Sequence, residues 1–482
     1  MSKAIGLVTR ACAVLALCAS VAITLRAQTF ATLFIFDGPD GRGPQAALVQ
    51  GADGNLYGAT YYGGPGCGSC FTGGTIFKIT PGGKLTTLYT FGAEGDGPNQ
   101  LALADDGYFY GTANYGGGAY EYGTVFKITR SGALTTLYTF CTQSGCTGSK
   151  GPSGPLVQAA DHNFYGTAGG GAYDYGTVFT VTPAGALTTL YSFCNQEGCP
   201  NGVGVTPHAG LVQASNGDFY GTTNETIFKI TPSGTLTTLY TFSCASACLD
   251  GAAASGLVQA TDGDFYGTTS QGGANCPASD CGTVFRITPR GTLTTLYSFC
   301  AQGYPSCTDG ERPLAPLIQA TDGNFYGTTQ YGGTNGVGTV FRITPSGTLT
   351  TLYSFCAQVG CLDGEYPQGA LVQATNGDLY GTTAQGGSYD NAGTIFRLSV
   401  GLGPFVKTQP HNGKVGAPIM ILGTDLTGAT SVTFNGTPAA FTIVSATEIT
   451  TTVPAGATTG EVRVTTPGGT LASGGPFRWR HR

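Results

Sequence analysis

The sequence repeats one unit seven times, and this repetition restricts the fold more than any other feature. Each unit contains a Tyr-Gly element, which lies 46 to 60 residues from the next one. Four short runs rich in Val, Ile, Tyr, Phe and Thr make up a unit, separated by turns of the Asp-Gly or Pro-Ser-Gly type. None of the runs has helical periodicity, so each unit predicts four β-strands, the content of one β-propeller blade. The repeated tyrosines are Tyr57, Tyr110, Tyr165, Tyr220, Tyr266, Tyr326 and Tyr380.

The two ends of the repeat region predict how the propeller closes. A run of the type Leu-Thr-Thr-Leu-Tyr-Ser-Phe occurs complete six times, because the seventh unit ends after Leu398 without it. Residues 30–36 read FATLFIF and align with that run. We therefore expect the N-terminal strand to complete the last blade, which removes the unpaired strand edges that invite aggregation. The predicted fold is all-β, a seven-bladed β-propeller over residues 28–400.

The repeat itself is similar to a known family. The unit GTVFRITPSGTLTTLYSF and the consensus LVQATDGNFYGTT resemble the GloVer tandem repeat of exported bacterial proteins with varied C-terminal anchors. The resemblance covers about 370 residues. It implies export and a β-repeat fold but no particular activity. The chain departs from the family pattern because its C-terminal residues contain no recognisable sorting anchor.

A second domain is predicted after the repeat. Beyond Pro404 the repeat stops, no cysteine follows, and strand-like runs recur at about ten-residue spacing, which predicts a small immunoglobulin-like β-sandwich over residues 401–477. The segment resembles a TIG (IPT) domain, and such domains act as spacers or bind, so the resemblance implies no catalysis. A basic tail is expected at residues 478–482. The motifs that carry the resemblance are Gly423-Thr424-Asp425-Leu426, Val432-Thr433-Phe434-Asn435-Gly436, Val453-Pro454 and Gly460-Glu461-Val462.

The N-terminal residues predict export. Lys3 and Arg10 precede an uncharged stretch over residues 11–25, which is typical of a secretory signal peptide over residues 1–27. Cleavage is expected after Ala27, with Ala22 as the alternative. The stretch is shorter than the roughly 20 apolar residues of a membrane span. We therefore expect a secreted, periplasmic or cell-surface protein with no membrane span.

The charge excludes nucleic acid as a partner. The formal net charge is −6, and removal of residues 1–27 takes away three basic residues, leaving 18 basic and 27 acidic residues and a charge of −9. A phosphate-binding surface needs clustered Lys and Arg. The only such cluster in the sequence is the tail with Arg478, Arg480 and Arg482.

Fourteen of the 16 cysteines follow the signal peptide and fall into close pairs. In an exported protein such pairs predict local disulfides, each holding one loop. Zinc is the alternative, but the pairs have no neighbouring His and lie in separate repeats, so neither a metal nor another cofactor is expected. The predicted pairs are Cys67 with Cys70, Cys141 with Cys146, Cys194 with Cys199, Cys244 with Cys248, Cys276 with Cys281, Cys300 with Cys307, and Cys356 with Cys361.

Tyrosines in the variable loops are the candidate ligand-binding residues. The loops between the second and third strands, and the connections to the next blade, carry nearly all the sequence variation and are expected on one face. Tyrosines beside Gly, Asn and Gln suit sugars or protein partners. The alternative is that these rings only cover the blades. The candidates are Tyr61, Tyr62, Tyr115, Tyr120, Tyr122, Tyr173, Tyr175, Tyr331 and Tyr389.

Two further sets of residues recur near the first strand of each unit. One Gln per unit, replaced by Leu103 in the second unit, is expected to satisfy backbone groups near the central channel. An Asp-Gly pair precedes the first strand, and its acid is expected either to shape a turn or to form an acidic collar at the channel mouth. The glutamines are Gln50, Gln158, Gln213, Gln259, Gln319 and Gln373, and the acids are Asp40, Asp96, Asp250, Asp309 and Asp363.

These features favour a non-catalytic binding module for polysaccharide or a surface protein. A structural spacer of the cell envelope is the first alternative, and a propeller-type glycoside hydrolase or lyase is the second. Hydrolysis of glycosides needs paired carboxylates, whereas the non-repeated acids are scattered over different loops. No catalytic residue is predicted, because His162 and His208 have no visible nucleophile or acid partner. The scattered acids are Glu121, Asp174, Glu197, Asp280, Glu311 and Glu365.

Overall fold

The computed structural model describes most of residues 28–480. The expected signal peptide lies outside the described residues, and no described helix is long and apolar enough to cross a membrane. The one helical segment in the described part is a 3₁₀ turn at Val359–Cys361. The described ranges are 28–65, 73–92, 96–117, 121–141, 148–171, 174–194, 206–207, 209–244, 248–276, 280–387 and 391–480.

The strands of the described repeat region form seven antiparallel sheets, numbered here in chain order. Sheet 1 contains β2 (Val49–Gln50), β3 (Leu56–Thr60), β4 (Thr75–Ile79) and β5 (Leu85–Thr90). Sheet 2 contains β6 (Asp96–Pro98), β7 (Ala102–Leu103), β8 (Phe109–Tyr115), β9 (Thr124–Ile128) and β10 (Leu134–Thr139). Sheet 3 contains β11 (Ser149–Pro152), β12 (Val157–Gln158), β13 (Phe164–Gly170), β14 (Thr177–Val181) and β15 (Leu187–Ser192). Sheet 4 contains β16 (Val212–Gln213), β17 (Phe219–Thr222), β18 (Thr226–Ile230) and β19 (Leu236–Thr241).

The remaining sheets of the repeat region follow the same order. Sheet 5 contains β20 (Ala252–Ala254), β21 (Val258–Gln259), β22 (Phe265–Gln271), β23 (Thr283–Ile287) and β24 (Leu293–Ser298). Sheet 6 contains β25 (Ile318–Gln319), β26 (Phe325–Thr329), β27 (Thr339–Ile343) and β28 (Leu349–Ser354). Sheet 7 contains β29 (Val372–Gln373), β30 (Leu379–Thr383), β31 (Thr394–Ser399) and the N-terminal strand β1 (Thr29–Ile35).

The N-terminal strand completes sheet 7, as its alignment with the fourth-strand run predicts. β1 pairs antiparallel with β31, with Phe30 opposite Leu398. The register shifts between Thr32 and Phe34, which leaves Leu33 as a bulge. The other fourth strands shift at the equivalent leucine, for example between Thr351 and Tyr353 in β28. β1 therefore has the local geometry of the strand that the seventh unit lacks.

Neighbouring sheets pack through aromatic rings that the repeat supplies at fixed positions. The tyrosine in the second strand of one sheet packs on the aromatic residue that begins the second strand of the next sheet, with ring centroids about 4 Å apart. Second and third strands are buried along nearly their whole length, as in β26 and β27. Tyr380 of sheet 7 shares a buried cluster with Leu56 of sheet 1, so the sequence of contacts returns to its start. The stacked pairs are Tyr110–Phe164, Tyr165–Phe219, Tyr220–Phe265 and Tyr266–Phe325, and the rings of Tyr57 and Phe109 are tilted by 32°.

The repeated glutamines link the first strands, and they satisfy backbone groups as expected. Each side-chain carbonyl accepts a hydrogen bond from a backbone N–H that follows the first strand of the preceding sheet. The bond from Thr375 N–H to Gln50, at 3.0 Å, joins sheet 7 to sheet 1. Because these short side chains bridge one first strand to the next, the first strands line the inner side of the arrangement. We call the space that they surround the inner space.

A glycine in the turn between third and fourth strands lets each sheet approach its neighbour. Gly234 has φ +91°, and a Cβ added there would lie 2.7 Å from the carbonyl oxygen of Leu190, the bulged residue of sheet 3. A Cβ added at Gly83 would lie equally close to the carbonyl oxygen of Leu33 in β1. The contact explains why the Pro-Ser-Gly turn keeps its glycine, since a side chain would push two sheets apart.

Replacement of Gly234 by Ala tests this contact. Gly263 is the matched control, because it has the same φ of +91° but nothing within 4 Å of an added Cβ. We expect Gly263→Ala to lower the free energy of unfolding by about 1 kcal/mol through backbone strain alone. Gly234→Ala should lose about 1–3 kcal/mol more through displacement of the neighbouring sheet. Chemical denaturation of both variants measures the difference, and equal losses would contradict the contact.

The residues after the repeat form two four-stranded sheets and a short parallel pair. Arg478 and Trp479 lie in the last strand, so the fold continues into the segment expected to be a tail. One sheet contains β32 (Lys407–Gln409), β34 (Pro418–Leu422), β38 (Glu448–Thr452) and β37 (Phe441–Ser445). The other contains β36 (Thr437–Pro438), β35 (Ser431–Phe434), β39 (Val462–Thr466) and β40 (Gly469–Ala472). The pair is β33 (Asn412–Gly413) with β41 (Arg478–Trp479).

This C-terminal region packs against the turns between first and second strands of the repeat sheets. Leu422 is buried in one cluster with residues of sheets 1 and 2. The Thr447 hydroxyl donates to the carbonyl oxygen of Ala52 at 2.7 Å, and Phe405 N–H donates to Thr375 O at 2.9 Å. The variable loops lie at the opposite ends of the second strands, so they stay clear of this contact.

Candidate functional site

Four side chains of sheets 1 and 2 meet on the variable-loop face. We call Tyr61, Tyr62, Asn114 and Tyr115 the tyrosine cluster. The rings of Tyr61 and Tyr62 contact edge to face with centroids 4.6 Å apart. The Asn114 amide donates to the Tyr61 hydroxyl at 3.3 Å, and burial raises the pKa of Tyr61 to about 12. Tyr115 lies beside Tyr61 and is 53% exposed. The cluster therefore offers one exposed ring next to a fixed hydroxyl and amide.

The backbone of sheet 2 positions this cluster. β8 extends to Tyr115, which pairs with Asp96 of β6. Gly97 has φ +62°, and a Cβ there would lie 2.9 Å from the Tyr61 ring, so the ring rests directly on backbone. A shallow pocket of about 210 Å³ opens beside the cluster, and burial raises the pKa of the Asp96 carboxyl in its wall. The described residues that line the pocket are Gly63, Gly64, Pro65, Gly73, Thr90, Phe91, Gly92 and Asp96.

A second group on the same face lies between sheets 5, 6 and 7. The rings of Tyr331 and Tyr366 have centroids 5.3 Å apart, and the Arg312 guanidinium lies 5.9 Å from the Tyr331 centroid. Arg312 also forms an ion pair with Asp280 at 3.5 Å. Burial and the charge of Asp280 raise the pKa of Glu311. The group combines two aromatic rings with both signs of charge.

The other predicted tyrosines do not join these two groups in the described structure. Tyr122 lies under the Lys150 ammonium, 5.4 Å from its ring centroid, and Lys150 is ion-paired with Asp174 at 2.7 Å. Tyr175 packs against the buried cluster between sheets 3 and 4, as the covering role predicts. Tyr120, Tyr173 and Tyr389 lie outside the described residues.

Sequence analysis missed Tyr366 and Arg312. Both follow an Asp-Gly pair by two residues, in the segments Asp363-Gly364-Glu365-Tyr366 and Asp309-Gly310-Glu311-Arg312. The Asp-Gly pairs repeat along the chain, whereas the second residue after each pair varies between units. That variation was the available signal, since it marks side chains that the repeat geometry does not need.

Three of the predicted channel-mouth acids have a side-chain partner outside their own turn, and that partner does not lie at a channel mouth. Their carboxylates accept hydrogen bonds from tyrosine hydroxyls in the fourth strand of the preceding sheet. Asp309 and Asp363 are buried. A fourth strand is the one farthest from the inner space, so these acids do not surround a channel mouth. The pairs are Tyr240–Asp250 at 2.5 Å, Tyr297–Asp309 at 2.7 Å and Tyr353–Asp363 at 2.7 Å.

The other two acids, Asp40 and Asp96, have no fourth-strand tyrosine as a described partner. The carboxylate of Asp40 accepts a hydrogen bond from the backbone N–H of Asp37 at 3.1 Å. Burial, with the Asp37 charge as a smaller cause, raises the pKa of Asp40 to about 6. Asp96 lines the pocket beside the tyrosine cluster. A cation-binding role for these two acids stays a prediction.

Replacement of Asp363 by Asn tests the structural role of the buried acids. The Asp363 carboxylate accepts bonds from the Tyr353 hydroxyl and from the N–H groups of Ala357 and Gln358. We expect Asp363→Asn to lower the free energy of unfolding by about 2–3 kcal/mol, because an amide cannot accept all three. Asp262→Asn is the control, with an expected loss below about 1 kcal/mol, since Asn216 and Asn376 occupy that position in other units and, like Asp262, are followed two residues later by Asp. Urea denaturation measures both variants, and an unchanged free energy of unfolding in Asp363→Asn would contradict the structural role.

Four of the predicted cysteine pairs form disulfides in the described structure. Two of these pairs meet in one buried cluster, Cys276–Cys281 with Cys300–Cys307, but oxidised cysteines supply no thiolate for zinc. Disulfides persist in oxidising compartments, so they indicate an exported protein. The bonded pairs are Cys244–Cys248, Cys276–Cys281, Cys300–Cys307 and Cys356–Cys361.

The other three predicted pairs fall partly or wholly outside the described residues. Cys67 and Cys70 both lie outside them, so a disulfide between Cys67 and Cys70 stays a prediction. Cys141 and Cys194 are described and disulfide-bonded. Their predicted partners, Cys146 and Cys199, lie outside the described residues, so these two pairings also stay predictions.

Among the scattered acids that the structure describes, Asp280 adds to burial in raising the pKa of Glu311. Asp174 is ion-paired with Lys150. His162 lies in a turn on the opposite face, where its Nδ1 is 3.1 Å from Asp105. Glu197 and His208 lie outside the described residues.

The sheets and the returning sequence of contacts define an all-β, propeller-like repeat protein. The family model of the Gloeobacter/Verrucomicrobia repeat matches residues 18–226 and 223–442, which is most of the chain. The chain therefore belongs to the Gloeobacter/Verrucomicrobia repeat family, and the predicted repeat family is confirmed. No curated protein matches the chain in sequence.

Solved structures that share the fold include two with TM-scores above 0.5. A streptogramin B lyase is 16% identical with a TM-score of 0.52, over 77% of this chain and 97% of that chain. The extracellular domain of a hybrid two-component system from B. thetaiotaomicron is 10% identical with a TM-score of 0.51, over 94% of this chain. This chain spans 59% of that structure. At these identities the likeness concerns the fold alone.

Proposed function

We propose that this protein is exported and binds polysaccharide through the tyrosine cluster on its variable-loop face. The exposed ring of Tyr115 beside the Asn114–Tyr61 hydrogen bond is the observation that supports this function. A sugar presents an apolar C–H face and a rim of hydroxyls. An exposed aromatic ring can cover that face, while an amide and a phenol exchange hydrogen bonds with the rim.

The proposed architecture is a seven-bladed propeller over residues 28–400, closed by β1, followed by an immunoglobulin-like domain of the TIG type from residue 401. The β1–β31 pairing and the Thr375–Gln50 bond support closure. The two four-stranded sheets around Val432, Phe434 and Val464 support a β-sandwich. The signal peptide over residues 1–27 belongs to the same proposal.

A pull-down on insoluble polysaccharides tests the binding function. The sample is the chain from residue 28 to 482, because the C-terminal region packs on the repeat sheets. We expect Tyr115→Ala to weaken binding about tenfold or more, as loss of a central aromatic contact does. Tyr108→Ala is the matched control and should bind normally, since Tyr108 is a 36% exposed tyrosine just before the other end of β8.

The outcomes separate the alternatives. If the Tyr115→Ala variant binds as well as the unmodified chain, the binding site would be sought in the group around Tyr331 instead. Binding to no polysaccharide would remove the sugar function, and a protein partner or an envelope spacer role would then be tested by cross-linking on intact cells.

A glycoside hydrolase or lyase is the second candidate. The specific observation in its favour is that burial and the charge of Asp280 raise the pKa of Glu311, as neighbouring carboxyl groups do in such enzymes. The Arg312–Asp280 ion pair weighs against it. Release of soluble sugar in the pull-down supernatant, abolished in Glu311→Gln, would support the enzyme.

A further inference from the structure

One position in each repeat unit has the same left-handed backbone on the variable-loop face. It precedes the first strand, and its N–H donates a hydrogen bond to a carbonyl oxygen in the loop between the second and third strands of the preceding sheet. Three units have Gly at this position, and the largest side chains there belong to Arg312 and Tyr366. The seven residues are Gly43, Gly97, Gly151, Thr206, Ala253, Arg312 and Tyr366, with φ between +51° and +62°.

The side chains of Arg312 and Tyr366 are not needed by the repeat geometry. Left-handed backbone is unfavourable for a residue with a Cβ, whereas Gly adopts it freely. Each of the two residues therefore lowers stability at a position that other units fill with Gly. Strained residues of this kind cluster at binding and active sites. Because they occur in consecutive units, they mark the connections into sheets 6 and 7 as a candidate ligand-binding region.

This region also contains polar atoms without a partner. The Tyr331 and Tyr366 rings, with centroids 5.3 Å apart, are both partly exposed. Gln330 N–H donates to Arg312 O at 3.1 Å, which places these two residues side by side. Arg312 Nε and Gln330 Oε1 are buried and have no hydrogen-bond partner among the described residues. One unused donor and one unused acceptor beside two rings suit a ligand rich in hydroxyl groups.

Sheet 1 connects the group around Tyr331 to the tyrosine cluster. Ala384 N–H of sheet 7 donates to Tyr366 O at 3.1 Å. A Cβ added at Gly43 would lie 3.9 Å from the Ala384 carbonyl oxygen and 3.8 Å from the Tyr62 ring. The exposed side chain of Gln45 places its Nε2 3.8 Å from the same point. Tyr366, Gln45 and Tyr62 therefore follow one another across the junction of sheets 7 and 1.

We propose that the tyrosine cluster and the group around Tyr331 are two subsites for one linear polysaccharide, which lies along sheets 2, 1, 7 and 6. This inference rests on the proposed sugar binding and adds that the chain is bound along its length rather than at one end. Aromatic rings at both ends of the path cover apolar sugar faces, and the Gln45 amide between them exchanges hydrogen bonds with hydroxyl groups.

The charges along this path indicate which polysaccharide it accepts. Asp280 neutralises Arg312 at one subsite through their ion pair at 3.5 Å. Asp96 lines the pocket beside the other subsite. Negative charge at a binding surface repels a ligand of the same sign. The path therefore disfavours an acidic chain and fits an uncharged polysaccharide.

Affinity as a function of ligand length tests the two subsites. The chain from residue 28 to 482 is titrated by calorimetry with fragments of xylan, mannan and mixed-linkage glucan, from disaccharide to octasaccharide. Short fragments occupy one subsite and long ones reach both, so the affinity should rise about tenfold or more within the series that binds. One affinity at every length would overturn the inference and leave the sugar function standing. Binding of no fragment and of no insoluble polysaccharide would overturn both.

Replacement of Tyr366 by Gly tests the second subsite directly. The variant has the residue that three other units have at this position, so its melting temperature should not fall. Affinity for long fragments should drop about tenfold, while short fragments, which occupy the tyrosine cluster, should bind as before. Ala253→Gly is the matched control at the same position of sheet 5, with φ +52°, and should bind every fragment normally. Tyr115→Ala should instead weaken short and long fragments alike.

Two results for Tyr366→Gly would contradict this assignment. Unchanged affinity for long fragments would remove the second subsite, although binding through Tyr115 could stand. A melting temperature below that of the unmodified chain, with no such fall in Ala253→Gly, would assign the Tyr366 ring to packing and overturn the inference.

Discussion

The close contact between adjacent repeat sheets is the interaction on which the rest of the structure depends. Each second-strand tyrosine packs on the next sheet, as Tyr57 does on Phe109, while a turn glycine such as Gly234 lies against a bulged carbonyl of its neighbour. Side chains cannot enter these gaps without moving a whole sheet, since protein interiors are close-packed. The variable loops and the first strands take their positions from this spacing.

The repeated polar residues serve this packing, which leaves function to the residues that do not repeat. Asp322 accepts a hydrogen bond from the Tyr326 hydroxyl, and Asp363 accepts one from Tyr353, so both acids satisfy tyrosine hydroxyls of the repeat. Tyr115, at the end of β8, and Tyr366, in the connection before β29, have no equivalent in most units. In a repeat protein, conserved spacing within the chain thus indicates a structural role more often than a binding one.

The C-terminal region is part of the same body in this structure. Leu422 and Thr447 contact sheets 1 and 2, and Phe405 contacts sheet 7. It therefore lies at one end of the inner space, and the described parts of the variable loops lie at the other end.

The sequence by itself determined the four strands that all seven repeat sheets share, the role of β1 and the four described local disulfides, because these depend on short-range patterns that recur. It did not predict the fifth strand of sheets 2, 3 and 5. Only the tertiary structure decided which variable residues meet: Tyr331 with Tyr366, and Tyr61 with Asn114. Those contacts join residues far apart in the chain, and no periodicity encodes them. It also showed that Asp309 and Asp363 accept hydrogen bonds from fourth-strand tyrosines of the preceding sheet, a contact that an Asp-Gly turn alone does not predict.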